Sequence, residues 1–254
     1  MSDYKVEVFD NLISEDLRSK VWDYLQNQKW HAPWIPQQYN KLSHYYPKDG
    51  IQSWLTVPLW QHTGFHRCCL GYDETTLYNR HPLISELWNK INNSLNNQYE
   101  LSGYPEDMFD EEYSKQHGLD GWGWRAYVNA LYGQATPGVN WGPHRDTPDL
   151  NDETSVTILY VLNKHWYPSW GGENCFFPED PEGLVGDHQQ FNGGEHQQKR
   201  HYNIGWLDKG QVVSPVPGRV IIYDGRRLHN TKSPSLSISM PPLMKLAFRA
   251  RLKT

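Results

Sequence analysis

His144 and Asp146, in the segment WGPHRDTPD, are the two residues whose types and spacing most directly suggest chemistry. In an extended segment, side chains two residues apart point to the same face, so an imidazole and a carboxylate would lie side by side. Such a pair is able to grip one metal ion. The same letters also fit a surface HRD turn, and with 12 His in the chain an isolated His-x-Asp is a weak signal. A third ligand from elsewhere in the chain would decide between the two interpretations.

His229 is the best candidate for that third ligand, at the end of GRVIIYDGRRLH. A strand followed by a tight DGRR turn predicts that this imidazole reaches the edge of a sheet. Two His and one carboxylate on one face of a metal leave three positions open, a pattern that suits non-haem iron(II). The competing interpretation is a buried His229 bonded to a backbone carbonyl. We therefore expect a candidate iron site at His144, Asp146 and His229.

The elements that must position these residues are strands in the second half of the chain. Their sequences are rich in β-branched and aromatic residues and are bounded by Gly, Pro and Asn. No helical pattern separates them, which predicts an antiparallel arrangement. The polar stretch 178–210 is long for a loop within a compact domain, and we expect it to be either a functional insertion, such as a lid, or partly disordered. The predicted strands are 125–132, 154–162, 173–177, 218–224 and 244–252.

The N-terminal part of the chain predicts a short strand and two helices that support the sheet from outside. Residues 5–9 alternate as a strand does, and Ser14 is placed to cap a helix that ends near Gln28. Pro82 suits the first turn of a second helix. The region 30–80 is expected to hold short strands and loops. The apolar stripes of the two helices are formed by Leu17, Val21 and Leu25 in the first, and by Ile84, Leu87, Trp88, Ile91 and Leu95 in the second.

Together these patterns predict one mainly β, α+β domain over residues 1–254, with helical support at 1–122 and a β-sandwich core at 123–254. The net charge is −5 and no dense Lys/Arg run occurs, which argues against a protein that binds a nucleic-acid duplex. No apolar run is long enough to predict a membrane span. The N-terminus has no apolar secretory segment, and the three Cys fit no zinc or disulfide spacing, so a cytoplasmic setting is expected.

Five blocks of the sequence, in order and at similar spacing, resemble the prolyl-4-hydroxylase-like branch of the iron(II)/2-oxoglutarate-dependent dioxygenases. They are YGQATPGVNWGPHRDTP, TSVTILYVLNKHW, WGGENCFF, PVPGRVIIYDGRRLHNTKSPS and LAFRARL. The resemblance implies a double-stranded β-helix, or jelly roll. It also implies iron at His144, Asp146 and His229, with 2-oxoglutarate as co-substrate and O2 as the oxidant.

The resemblance further implies contacts to 2-oxoglutarate. Tyr160 falls where the family often places a tyrosine near the far carboxylate, and Tyr132 falls near another co-substrate contact. The family usually anchors that carboxylate with a basic residue at the position occupied here by Leu243, so this chain departs from the pattern. Lys245 is the first substitute, because it points to the same face of the strand, and Arg249 shares that parity and comes next.

The resemblance implies a hydroxylase that oxidises an unactivated C–H bond and releases succinate and CO2. Halogenating relatives replace the carboxylate ligand with Gly or Ala, whereas Asp146 is retained, which favours hydroxylation. The substrate implied is a small molecule, an amino acid or a prolyl/peptidyl group. The alternative is a non-catalytic jelly-roll binding module that keeps the metal site without turning over 2-oxoglutarate, and the apolar Leu243 is its support.

Overall fold

The computed structural model describes residues 5–28, 65–71, 74–101, 126–131, 145–147, 150–177, 210–232, 234 and 243–253. None of the helices in these ranges is both long and apolar enough to cross a membrane. The α-helices are α1 (Glu15–Leu25), α2 (Glu74–Arg80) and α3 (Pro82–Ser94). The strands are β1 (Val6–Phe9), β2 (Phe65–Gly71), β3 (Tyr99–Leu101), β4 (Ala126–Leu131), β5 (Ser155–Val161), β6 (Asn174–Phe176), β7 (Gln211–Val213), β8 (Val220–Asp224), β9 (His229–Thr231) and β10 (Leu243–Leu252).

These strands form two antiparallel sheets. The major sheet has the order β1-β8-β5-β10-β4-β2, with β3 paired to the far end of β10, and the minor sheet has the order β7-β6-β9. Every neighbouring pair is antiparallel, and strands that lie next to each other are mostly distant in sequence. The predicted double-stranded β-helix with supporting N-terminal helices is therefore confirmed.

The two faces of the major sheet have different neighbours, because side chains alternate along each strand. Ile158, Tyr160 and Phe248 belong to the larger apolar cluster, which includes the buried stripes of α1 and α3. Leu159 and Ala247 belong to a second cluster that joins the major sheet to the minor sheet. The position of a residue along β5 or β10 thus decides whether it faces the helices or the space between the sheets.

The two predicted helices form for the reasons that the sequence indicates. Ser14 caps α1 by accepting a hydrogen bond from the Leu17 backbone N–H at 3.3 Å. Pro82 occupies the first turn of α3, where its missing N–H costs no hydrogen bond. The Trp88 ring of α3 then packs on Phe248 of β10, with 5.0 Å between ring centroids. This contact fixes the helical layer against the strand that also carries Arg249.

Several short elements differ from the sequence-based expectation. The region expected to hold only strands and loops contains helix α2, and the three-residue strands β3, β7 and β9 were not predicted. Three residues are too few to display a two-residue period, so the strands form because neighbouring strands offer backbone partners. The limits of the domain and the lid role of 178–210 stay predictions, since residues 178–209 lie outside the described part of the chain.

Candidate metal centre

The Asp146 segment is held against the turn that follows β8. The Asp146 and Thr147 backbone N–H groups both donate to the Gly225 carbonyl, at 2.8 and 3.1 Å. Gly225 in turn donates its own N–H to the Ser155 carbonyl at 2.9 Å. A Cβ at position 225 would lie 2.3 Å from Ser155 Oγ, so a side chain there would have to displace the Ser155 hydroxyl. The backbone therefore brings the carboxylate segment and the DGRR turn together, as a shared metal site requires.

The Asp146 carboxylate is buried, and three side chains hold it in place. Its Oδ2 accepts hydrogen bonds from Thr157 Oγ1 and from the Tyr223 hydroxyl, both at 2.7 Å. Arg249 grips both carboxylate oxygens, with Nη2 donating to Oδ1 at 2.5 Å and Nη1 paired with Oδ2. Bidentate pairing with a guanidinium compensates a buried negative charge in a fixed geometry. The carboxylate is thus ionised and oriented by its surroundings.

His229 lies on β9 with its ring turned towards Asp146. Its Nδ1 lies 2.9 Å from the Arg227 carbonyl, which accepts only, so Nδ1 carries the proton of the neutral ring. The other nitrogen, Nε2, lies 3.6 Å from Asp146 Oδ2. Fixing one ring nitrogen on a backbone carbonyl is how proteins orient a metal-binding imidazole. The competing interpretation, a buried His bonded to a carbonyl, shares that bond, and Nε2 also lies 3.2 Å from the Tyr223 hydroxyl.

The two predicted ligands that the structure describes fit a two-histidine, one-carboxylate iron site. Asp146 and His229, two of the three predicted ligands, come together on the face between the sheets. His144, the third, lies outside the described residues, as does Tyr132. Within the described ranges no three His, Cys, Asp or Glu side chains form a metal-binding group. The donor set of one carboxylate and one oriented imidazole is the kind that iron(II) takes.

Lys245 also lies on the face between the sheets and is buried, like Asp146 and His229. Its Nζ donates to the Gly172 carbonyl at 2.8 Å and to Asn174 Oδ1 at 2.7 Å. Asn174 stands opposite Thr231 in the minor sheet, two residues further along the ladder than the pair that contains His229. Burial lowers the pKa of the Lys245 amine to about 7, because the charged form loses its hydration. The amine is therefore buried, and it gains or loses its positive charge near neutral pH.

Leu243 occupies the position where a basic residue was expected from the resemblance. It is fully buried, and its Cδ2 lies where a Cβ on Gly172 would have to go, at 2.4 Å. Gly172 also has a φ of 84°, which a residue with a side chain rarely adopts. This side chain therefore packs β10 against the minor sheet and leaves the cationic role to another residue.

Tyr160 is not brought to the site, which corrects the role that the resemblance gave it. It is fully buried on the opposite face of the major sheet, among the residues that contact the helices. The pleat places Thr157 and Leu159 towards the minor sheet, so Tyr160 must point the other way. Burial raises the pKa of its phenol well above the usual value, and the nearby Arg18 acts in the opposite direction.

Replacing Tyr160 by phenylalanine should raise the free energy of unfolding by about 1 kcal/mol. Its hydroxyl is buried and has no hydrogen-bond partner among the described residues, and such a group costs about 1–3 kcal/mol. Denaturant unfolding of the wild-type and Tyr160→Phe proteins measures the difference. A variant that is less stable by 1 kcal/mol or more would show that the hydroxyl is paired.

Sequence reasoning missed Thr157, Tyr223 and Asn174. Thr157 and Tyr223 face each other across the β5–β8 ladder, and both surround Asp146. The available signal was a polar group at an inward position of an otherwise apolar strand, in TSVTILY and VIIYD. Asn174 begins a three-residue strand, and nothing in its own neighbourhood identified the lysine that it meets.

Comparisons with known proteins place the fold. No protein-family model and no curated protein matches the sequence. The structure resembles a prolyl hydroxylase from Trichoplax adhaerens, solved with a hypoxia inducible factor peptide fragment. The TM-score is 0.51, with 13% identity, over 97% of this chain and 83% of that one.

Two further solved structures are similar at lower TM-scores. HygX from Streptomyces hygroscopicus, with nickel and 2-oxoglutarate bound, has a TM-score of 0.49 and 13% identity, over 98% of this chain and 84% of that one. A Pseudomonas putida prolyl-4-hydroxylase has a TM-score of 0.44 and 14% identity, over 100% and 95%. At such identities only the fold is established, and the Trichoplax comparison carries it. The chain has the double-stranded β-helix fold of a prolyl hydroxylase, as the resemblance in its sequence predicts.

Proposed function

We propose that this chain is an iron(II)- and 2-oxoglutarate-dependent oxygenase that hydroxylates an unactivated C–H bond. The observation that carries the proposal is the approach of His229 Nε2 to the buried Asp146 Oδ2, 3.6 Å apart on the face between the sheets. We assign His144 as the third ligand, on the strength of its position two residues before Asp146. A cytoplasmic location stays a prediction.

Each side chain around the site has a physical task in this proposal. The Arg227 carbonyl holds the His229 ring with Nε2 facing inwards. Thr157 and Arg249 hold the carboxylate in a fixed orientation beside His229. Iron(II) bound there would supply the activation of O2, coupled to conversion of 2-oxoglutarate into succinate and CO2. The sandwich interior excludes water and strengthens each of these electrostatic contacts.

Lys245 is the residue that we assign to the far carboxylate of 2-oxoglutarate. It projects from β10 into the same space as Arg249, and Asn174, its partner on the minor sheet, lies two residues beyond the pair that contains His229. Two residues of strand span about 6–7 Å, which suits the length of a five-carbon dicarboxylate that chelates a metal at one end. Arg249 is committed to Asp146, which leaves Lys245 as the better anchor.

Binding of 2-oxoglutarate should weaken as the pH rises above 7. A bound carboxylate favours the charged amine, so binding draws a proton onto Lys245, and affinity falls by up to about tenfold per pH unit once the free amine is neutral. Glu173 and Cys175 act to raise the pKa of this amine, and Lys232 acts to lower the pKa of Cys175. Isothermal titration calorimetry of the manganese-loaded protein, from pH 6 to 8.5, measures the slope.

The Lys245→Met variant provides the reference for that slope. At pH 6 we expect this variant to bind 2-oxoglutarate about 10- to 100-fold more weakly than wild type, which corresponds to the loss of one charge-assisted hydrogen bond. Its affinity should not depend on pH. Lys232→Met removes an exposed lysine nearby and should behave as wild type. The same pH profile in Lys245→Met and wild type would assign the anchor to another residue.

Turnover itself is tested by succinate formation. The wild-type protein, with iron(II), 2-oxoglutarate and O2, should release succinate, and the release should stop when iron is chelated or O2 is removed. The peptide of the Trichoplax enzyme and the alternatives of a small molecule or an amino acid define the first substrates to screen for faster release. A folded, metal-loaded protein that never forms succinate would favour the non-catalytic binding module.

A further inference from the structure

Tyr223 of β8 approaches both described ligands of the proposed metal site. Its ring is buried, with the hydroxyl oxygen 2.7 Å from Asp146 Oδ2 and 3.2 Å from His229 Nε2. These two ligand atoms are themselves 3.6 Å apart. Three possible metal-ligand atoms, from two strands and one loop, therefore form a small triangle on the face between the sheets.

The dimensions of this triangle are close to those of one face of a coordination octahedron. Ligand atoms about 2.1 Å from a metal, at right angles to one another, lie roughly 3 Å apart. The sides of 2.7, 3.2 and 3.6 Å, formed by Asp146, His229 and Tyr223, scatter around that value. A metal ion bound to this triangle would share Asp146 Oδ2 with the Thr157 hydroxyl and with Arg249 Nη1.

The surrounding packing keeps the Tyr223 hydroxyl in this place. Its ring lies 5.0 Å from Phe176 and 4.7 Å from His229, measured between centroids. Thr157 stands directly opposite it on the neighbouring strand and shares the Asp146 oxygen. The hydroxyl is thus held at the metal position by both sheets.

We propose that the Tyr223 hydroxyl occupies one coordination position of the metal while 2-oxoglutarate is absent, and that the co-substrate displaces it. This rests on the proposed function. His144, Asp146 and His229 leave three positions, of which the keto acid takes two and O2 needs the third. A tyrosine ligand would leave too few, so it has to yield when the charged chelate arrives. A neutral hydroxyl is a weak ligand, which makes that exchange favourable.

The consequence concerns the number of open positions. With Tyr223 in place two of the three remain, which 2-oxoglutarate would fill, so O2 has a position in the presence of the co-substrate only once the hydroxyl has been displaced. This role belongs to the geometry of this chain, since it needs a hydroxyl within reach of both Asp146 and His229.

The test compares the manganese(II) affinity of the Tyr223→Phe and wild-type proteins by calorimetry, without and with saturating 2-oxoglutarate. We expect the variant to bind manganese about tenfold more weakly without the keto acid, and within about twofold of wild type with it. Tyr160→Phe is the matched control, being the same change at an equally buried tyrosine on the other face of the sheet. It should leave both affinities unchanged.

Equal losses in the two conditions would assign the hydroxyl to holding Asp146 only and would overturn the proposal, as would no loss in either. Wild-type protein that binds no manganese would contradict the proposed function as well. A second measurement uses the wild-type protein alone: zinc(II) should perturb the tyrosine ultraviolet spectrum, and added 2-oxoglutarate should reverse the change. Absence of that reversal would also overturn the proposal, independently of how the variant folds.

Discussion

Replacing Arg249 by methionine should lower the free energy of unfolding by about 3–5 kcal/mol in the absence of metal. The change leaves the Asp146 carboxylate buried without its cationic partner, and breaking one side of a buried ion pair has a cost of this size. Added manganese should recover part of the loss, because the ion binds the folded state and supplies the missing positive charge. Denaturant unfolding with and without manganese measures both effects.

Arg251→Met is the matched control for this prediction. Arg251 lies on the same strand, but its side chain is half exposed. It forms a surface ion pair with Asp152, with 3.6 Å between Nη2 and Oδ2. Such pairs contribute about 0–1 kcal/mol, so this variant should be close to wild type. Two results would show that Asp146 is not the buried charge that we describe. One is an Arg249→Met variant as stable as wild type, and the other is equal stabilisation of Arg249→Met and wild type by manganese.

The second large effect concerns His229. The His229→Ala variant should bind manganese about a hundredfold more weakly or worse. Mutating a residue that only hydrogen-bonds to a metal ligand lowers metal affinity by about 10- to 100-fold, and removing the ligand itself should have a larger effect. The alternative interpretation of His229 as a structural histidine predicts lower stability with unchanged metal affinity. Calorimetric titration of the folded variant with manganese distinguishes the two.

His165→Ala serves as the control, since His165 is exposed in the loop after β5. It should bind manganese as wild type does. A loss of affinity in both variants would point to weak binding by dispersed histidines, and an undiminished affinity in His229→Ala would remove His229 from the site.

The sequence predicted well the features that depend on short-range patterns. The β-branched and aromatic residues of 154–162 and 244–252 predicted strands there, and these match β5 and β10. Ser14 predicted the start of α1 for a local reason, a side-chain cap on the first turn. Such signals reside within a few residues, so no knowledge of the rest of the fold is needed to interpret them.

The site depends on register, which is a property of several strands at once. Lys245 and Arg249 share parity, so the sequence places both on the inner face but does not tell their depth. The ladder does: Arg249 stands opposite Thr157 and reaches Asp146, whereas Lys245 stands opposite Val161. Tyr160 was assigned by resemblance, yet its parity relative to Thr157 turns it to the helices. Inferring that outcome requires knowing that Thr157 contacts Asp146, a contact across 11 residues of chain.

The measurement that most directly tests the account is anaerobic titration of the metal-free protein with iron(II) and 2-oxoglutarate, observing the weak visible metal-to-ligand charge-transfer band. We predict that the band appears in the wild-type protein and is absent from folded His144→Ala and His229→Ala variants. Folded wild-type protein that binds both components without the band, or a band that persists in the two variants, would contradict the assignment of iron and 2-oxoglutarate to this site.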